Sequence, residues 1–196
     1  MSSPSPDFYF PVPRSQKYCS QCAHPLTQMV PPGDNRLRDV CEKCGAVHYQ
    51  NPRNVVGVLP IWDGKILLCK RAIEPRYGLW TLPAGFMELS ETTAEGALRE
   101  TDEEAGASVE LSKLYTVIDV PHAEQVHFYY LGNLRSPELN PGPETLETMF
   151  VTPDEIPWDE LAFRTVRTTL EHYCNDVKRG RFDSHFYALE TPFHVR

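Results

Sequence analysis

The spacing of apolar positions changes character several times along the chain. Val55-Val56-Gly57-Val58-Leu59 is a nearly unbroken apolar run, the pattern of a strand buried on both faces. Asp63-Gly64 then precedes Lys65-Ile66-Leu67-Leu68-Cys69, which predicts a tight hairpin into a second strand. Leu79–Leu82 reads as a short strand halted by Pro83, followed by a loop from Ala84 to Glu91. From there the period becomes helical. Thr92 and Glu95 form a capping-box pair, Gly106 supplies a C-terminal stop, and Ala94, Ala97, Leu98, Thr101 and Ala105 define the expected buried stripe. Val109–Val120, Val126–Leu134 and the shorter Thr148–Val151 read as strands. A second helix is expected from Leu161 to Lys178, with Phe163, Val166, Leu170, Tyr173 and Val177 as its apolar face. This irregular alternation predicts an α/β chain, a helix–sheet–helix sandwich with a mixed sheet.

Composition adjusts that picture in three ways. The chain has 196 residues, 41% of them hydrophobic, enough for one domain and a small appendage. The longest apolar stretches, such as Val55–Ile61, are too short to span a bilayer. Nineteen Lys/Arg against 27 Asp/Glu leave a net charge of −8, which argues against general nucleic-acid binding. An acidic protein also needs cations before it can approach an anionic substrate. Residues 1–16, rich in proline and serine, read as an extended arm pinned by Phe8, Tyr9 and Phe10; they lack the features of a secretory signal or an Arg-rich transit peptide, so a cytoplasmic location is expected. The expected division is an arm (1–16), a small cysteine-bearing unit (17–50), a main domain (51–180) and a C-terminal tail (181–196).

Six cysteines without a secretion signal point to a reducing compartment. Four of them form two C-x2-C pairs, Cys19/Cys22 and Cys41/Cys44, separated by eighteen residues. Two such turns build a closed tetrahedral sulfur cage, the pattern of a structural Zn²⁺ ribbon; mononuclear iron and a redox pair are the rival readings. A unit this small cannot hold a core, so metal would supply much of its stability. Residues 1–50 carry five Lys/Arg against four Asp/Glu, a weak electrostatic footprint for nucleic acid. Cys69 and Cys174 lie in apolar surroundings and read as small buried hydrophobes.

On the first helix, Glu100, Glu103 and Glu104 stand at i, i+3 and i+4, so their like charges crowd together and call for a cation. Their setting is specific. The run from Gly85 through Glu91, Arg99, Glu100, Glu103 and Glu104 to Gly106 resembles the Nudix hydrolase box, G-x5-E-x7-R-E-U-x-E-E-x-G-U, at all seven fixed positions. Thr101 replaces a larger aliphatic residue, and Ala84 and Ser90 stand where the family often has glycine. The resemblance implies a Nudix-type sandwich preceded by a zinc ribbon. It also implies hydrolysis of nucleoside diphosphates linked to another moiety with Mg²⁺ or Mn²⁺. By that resemblance Glu100, Glu103, Glu104 and the Gly85 carbonyl are the metal ligands, while Arg99 and Glu91 orient a ligand carboxylate. Glu100, Glu144 and Glu147 are the candidates for general base.

The ribbon and box together are similar to two branches. One, the NADH pyrophosphatase and NAD-decapping branch, carries S-Q-P-W-P-F-P-x-S downstream of the box, which is absent here. The other comprises plant chloroplast ADP-ribose/FAD pyrophosphohydrolases, resembled by Cys44-Gly45…Tyr49-Gln50-Asn51-Pro52, Leu68-Cys69-Lys70-Arg71 and Pro141-Gly142-Pro143-Glu144. The resulting expectation is cleavage of FAD or ADP-ribose with release of AMP, by a homodimer. Phe86, Phe128 and Tyr130 are candidates to stack on a substrate ring, against a bland reading as core. NADH or NAD-cap hydrolysis is the alternative, and a zinc-ribbon binding module with a vestigial box is the second.

Overall fold

The structure, a computed structural model, describes residues 16–189. Phe8, Tyr9 and Phe10, and with them all but the last residue of the expected arm, lie outside the described residues. The chain divides into two compact units, Met1–Pro52 and Arg53–Arg196.

In the first unit, β1 (Thr27–Met29), β2 (Arg38–Val40) and β3 (Val47–His48) form a small antiparallel sheet in the order β1-β2-β3. One C-x2-C turn, Cys19–Cys22, precedes β1, and the other, Cys41–Cys44, lies between β2 and β3. Asp39, buried in β2, accepts hydrogen bonds from the Gln16 N–H (2.9 Å) and the Gln28 amide (3.4 Å), tying the entering chain to the sheet.

The second unit contains β4 (Arg53–Trp62), β5 (Lys65–Arg71), β6 (Trp80–Thr81), β7 (Ala84–Phe86), helix α1 (Thr93–Ala105), β8 (Val109–Val120), β9 (Gln125–Leu134), β10 (Thr145–Val151), helix α2 (Arg164–Arg179) and β11 (His185–Ala188). The main sheet runs β10-β5-β4-β9-β8-β11, with β6 on β5 and β7 on β4. It is mixed: β4 pairs parallel with β9, while β5 and β8 are antiparallel to their inner neighbours. Asp63 (φ +48°) and Gly64 (φ +74°) form the turn between β4 and β5, a conformation that the Asp-Gly pair favours.

Alternation along the strands sorts the core into two layers. Val56 and Val58 of β4, opposite Phe128 and Tyr130 of β9, meet Ala97 and Ala105 of α1. Leu59 of β4, with Tyr129 and Leu131 of β9, packs with Val166, Leu170 and Tyr173 of α2. One helix therefore covers each face, as the α/β/α reading expects.

Four local expectations are corrected. The loop after Pro83 contains β7, in register with β4 through Val56 opposite Gly85. Leu98 is exposed; it lies at the edge of the stripe, about 100° of helix rotation from Ala97, and the centre of the stripe is taken by Ala97, Thr101 and Glu104. On α2, Val177 is exposed and Asp176 is buried in its place, because Asp176 finds polar partners inside. The segment read as a tail carries β11, which pairs parallel with β8 from His185 opposite Thr116 to Ala188 opposite Asp119. No helix among the described residues is long and apolar enough to cross a membrane.

Candidate functional site

The site begins with the entry to α1. Thr92 is the N-cap: the Glu95 N–H donates to its hydroxyl (3.2 Å), and the Thr92 N–H donates to the Glu95 carboxylate (2.8 Å). This reciprocal pair fixes where the helix starts and hence the rotational phase of Arg99, Glu100, Glu103 and Glu104. In the loop before it, Ser90 has φ +69°, a left-handed backbone that glycine adopts most readily.

Arg99 is the hub. Its Nε and Nη2 donate to the two Glu91 oxygens at 3.0 and 2.8 Å, its Nη1 to Glu100 (2.7 Å) and Glu103 (3.2 Å), and Nη2 also to the Phe86 carbonyl (3.1 Å). One planar guanidinium thus joins three carboxylates and the end of β7, which a Lys ammonium could not do in one plane. Glu91 in turn accepts the Glu88 N–H at 2.6 Å. These donors hold the Glu91 carboxyl below its usual range, the Arg99 bonds foremost.

Close approach explains the glycines. A Cβ on Gly85 would lie 2.3 Å from the Glu100 carboxylate, so that carboxylate rests directly on the β7 backbone. A Cβ on Gly96 would meet Glu91 at 2.5 Å and Val56 at 2.8 Å. Gly96 therefore lets the helix sit against β4 and Glu91.

The three box glutamates occupy different environments. Glu103 is largely exposed, Glu100 is mostly buried, and Glu104 is 7% exposed, with one oxygen accepting the Ala84 N–H at 3.1 Å. Burial pushes the Glu104 carboxyl up to about 8, and the Glu100 and Glu144 carboxylates add to the shift; the Ala84 N–H and Arg71 oppose it. Glu100 is also raised, by burial first and then by Glu103 and Glu144, against Arg99. Carboxylates that resist ionisation together are a set that a divalent cation would relieve, and hard oxygen donors suit Mg²⁺ or Mn²⁺.

The two loop glutamates separate. Glu144 faces Glu100, Glu104 and Arg71 electrostatically, and its carbonyl accepts the Ala72 N–H (2.8 Å). Glu147, on β10, pairs instead with Lys70 (3.4 Å), whose ammonium lies over the Trp80 ring. Of the aromatics, Phe128 and Tyr130 pack against the core layer under α1, and the Tyr130 hydroxyl hydrogen-bonds Thr93 at 2.7 Å. Phe86 ends β7 with the Arg53 guanidinium 4.8 Å from its ring centre. Arg71 belongs to no site motif in the sequence. It is 9% exposed, donates to the Pro75 carbonyl and lies over the Phe163 ring; burial lowers its pKa, while Glu104 and Glu144 oppose that. The available signal was two basic residues closing a buried strand.

In the first unit, the two C-x2-C turns are near copies. The Ala23 N–H donates to the Cys19 carbonyl and the Gly45 N–H to the Cys41 carbonyl, both at 2.8 Å. Both donor residues are left-handed, Ala23 at φ +57° and Gly45 at φ +76°, so only one of the turns advertises itself by a glycine. The sulfurs lie 3.6 Å (Cys19–Cys44) and 3.5 Å (Cys22–Cys41) apart. That is far beyond a disulfide, about 2.05 Å, and near the ~3.8 Å edge of a tetrahedron with metal–sulfur bonds of about 2.3 Å. Among the described residues these four alone bring three or more ligand atoms within 4.8 Å of one another.

Residues 51–171 match the NUDIX domain family, and residues 17–50 match the Nudix N-terminal family, a zinc ribbon. A solved NUDIX hydrolase from Nitrosomonas europaea is 44% identical with a TM-score of 0.85, covering 89% of this chain and 99% of that one. A MutT NUDIX hydrolase from Burkholderia pseudomallei is 26% identical with a TM-score of 0.53, covering 62% of this chain and 98% of that one. Among curated relatives, the NAD-capped RNA hydrolase NudC of Salmonella heidelberg is 28% identical over 145 residues, 74% of this chain and 54% of that protein. The chain thus spans about half the length of the curated relatives it matches.

Proposed function

The chain belongs to the Nudix family, and from that premise we propose that it hydrolyses the pyrophosphate bond of nucleoside-diphosphate-linked compounds with a divalent cation. The observation that carries the reading is the Arg99 hub, which gathers Glu91, Glu100 and Glu103 beside the glycine that Glu100 rests on. Glu100, Glu103, Glu104 and the Gly85 carbonyl would hold Mg²⁺ or Mn²⁺, and the ribbon cysteines Zn²⁺. The catalytic cation would neutralise the pyrophosphate and make bound water a stronger nucleophile. Arg99 and Glu91 keep the ligand carboxylates oriented. Glu100, Glu144 or Glu147 takes the proton of the attacking water, and Phe86 stacks on a substrate ring.

The substrate we propose is FAD or ADP-ribose, with AMP as a product and a homodimer as the working form. Support comes from the missing S-Q-P-W-P-F-P-x-S run and from the passages shared with the ADP-ribose/FAD branch. A second reading, NADH or NAD-capped RNA, is favoured by the name of the curated relatives. The test is chromatographic analysis of products from FAD, ADP-ribose, NADH, NAD-capped RNA and diadenosine polyphosphates, with and without Mg²⁺ or Mn²⁺. Metal-dependent AMP from FAD or ADP-ribose, lost by about a thousandfold in Glu103→Gln and Glu104→Gln, is expected. Undiminished turnover in both variants overturns the metal-site assignment.

A further inference from the structure

The segment between β9 and β10 is fastened to the end of α1 by its backbone. The Asn140 N–H donates to the Ala105 carbonyl (2.9 Å) and the Gly142 N–H to the Glu104 carbonyl (3.3 Å). These are last-turn carbonyls that a helix end leaves without partners. Contact at the latch is unusually close. A Cβ on Gly142 would fall 2.0 Å from the Glu103 carbonyl oxygen, and a Cβ on Gly106 would fall 2.3 Å from the Asn140 carbonyl oxygen. Gly106 also needs its left-handed φ of +59°, but Gly142 is not among the residues with positive φ. Backbone freedom therefore does not account for glycine at 142; the approach to Glu103 does.

Two residues later the same segment is fastened at its other end, where the Ala72 N–H donates to the Glu144 carbonyl (2.8 Å), and the Thr145 N–H closes a turn onto Gly142 (3.1 Å). Pro141 and Pro143 restrict the residues before them to extended backbone and stiffen the span. Glu144 is thus carried on a short tether between the helix turn that bears Glu103 and Glu104 and the end of β5 that bears Arg71.

We infer that Gly142 is a positioning residue: its lack of a side chain lets the 139–144 segment seat on the last turn of α1 and so sets Glu144 against the box glutamates. The inference rests on the proposed hydrolase reading and on Glu144 acting in that reaction. It makes the placement of Glu144 a property of the resting fold.

The test is a double-mutant cycle on the zinc-loaded full chain, using whichever panel compound the wild type cleaves. Gly142→Ala is expected to lower kcat by about 10- to 100-fold, the scale of an ångström-sized misplacement, with KM within about twofold. Glu144→Gln is expected to lower kcat at least as far. The double variant is expected to match Glu144→Gln alone, since a misplaced group that is already absent costs nothing more. Losses that multiply, wild-type kcat in Gly142→Ala, or wild-type kcat in Glu144→Gln would each overturn the inference. Should Gly142→Ala fail to fold by circular dichroism, Pro143→Gly loosens the tether without a clash. It is expected to lower kcat about threefold, again with no further loss in the Glu144→Gln background, and multiplying losses overturn the inference there too. A wild type that cleaves no panel compound sinks the hydrolase reading and this inference with it, whereas an active wild type with a multiplicative cycle sinks this inference alone.

Discussion

Between residues 16 and 52, the buried hydrophobic side chains are Cys19, Val40 and Cys41, and two of these belong to the sulfur cluster. From Arg53 onward the sheet encloses an apolar layer on each face, with Leu59, Leu68, Tyr115, Tyr129 and Leu170 on one side and Val56, Val58, Leu67 and Ala97 on the other. The ribbon organises itself around four thiols and two matched turns; the Nudix body organises itself around area removed from water. A small unit without a core owes its fold to its ligand. A body with a continuous core can instead keep raised carboxylates such as Glu104 and Glu100 in its site, because packing elsewhere holds the frame.

The sharpest way to break this comparison is to remove the metal of the cysteine site. Chelation, or Cys41→Ser, is expected to unfold residues 17–50 outright while the body keeps its cooperative transition. Limited proteolysis with mass spectrometry reads both units at once, and co-unfolding of the body would erase the contrast.

Next in size is Asp176, fully buried in α2. It accepts hydrogen bonds from the Tyr115 hydroxyl and the His185 Nε2, both at 2.8 Å, and is paired with Arg179. Burial works against its charge, but His185, Arg179 and Tyr115 hold it well below the usual carboxylate range. Asp176→Ala is expected to cost the body about 3–5 kcal/mol by urea denaturation, since it strands the buried Tyr115 hydroxyl and frees β11. The ribbon's metal content should not change.

A smaller effect follows from His127, 9% exposed on β9, whose pKa burial lowers from 6.5 to about 4. Its depressed value means that the unfolded chain takes up the proton first. The stability it contributes is therefore complete above pH 6.5 and lost as the pH falls toward 4, on the order of 3 kcal/mol. His127→Phe should flatten this part of the body's stability–pH curve, and an unchanged slope would remove His127 from the account. Smallest is the cap: Thr92→Ala is expected to lower body stability by ~1 kcal/mol in thermal unfolding.

How far the site was legible follows from the range of each interaction. The start of α1 at Thr92 and the Asp63-Gly64 turn rest on neighbours within a few residues, so their pattern shows in the sequence. β7 did not show, because Ala84-Gly85-Phe86 becomes a strand only through pairing with Val55–Gly57. The unequal burial of Glu100, Glu103 and Glu104 was hidden for a similar reason. Spacing placed them together on the helix, but only the position of β7 and β4 against that helix decides which one faces inward.

Two patterns are legible from residue types alone: paired cysteines at turn spacing, and box glutamates phased by a capped helix. Both are short-range consequences of backbone geometry, and a chain of residue types is enough to state them. Long-range contacts settle that Asp176 and not Val177 is buried, that β11 joins β8, and that Glu144 is tethered through Gly142 while Glu147 pairs with Lys70. Each of those outcomes turns on which groups meet across tens of residues, where a close approach or a buried hydrogen bond outweighs local preference.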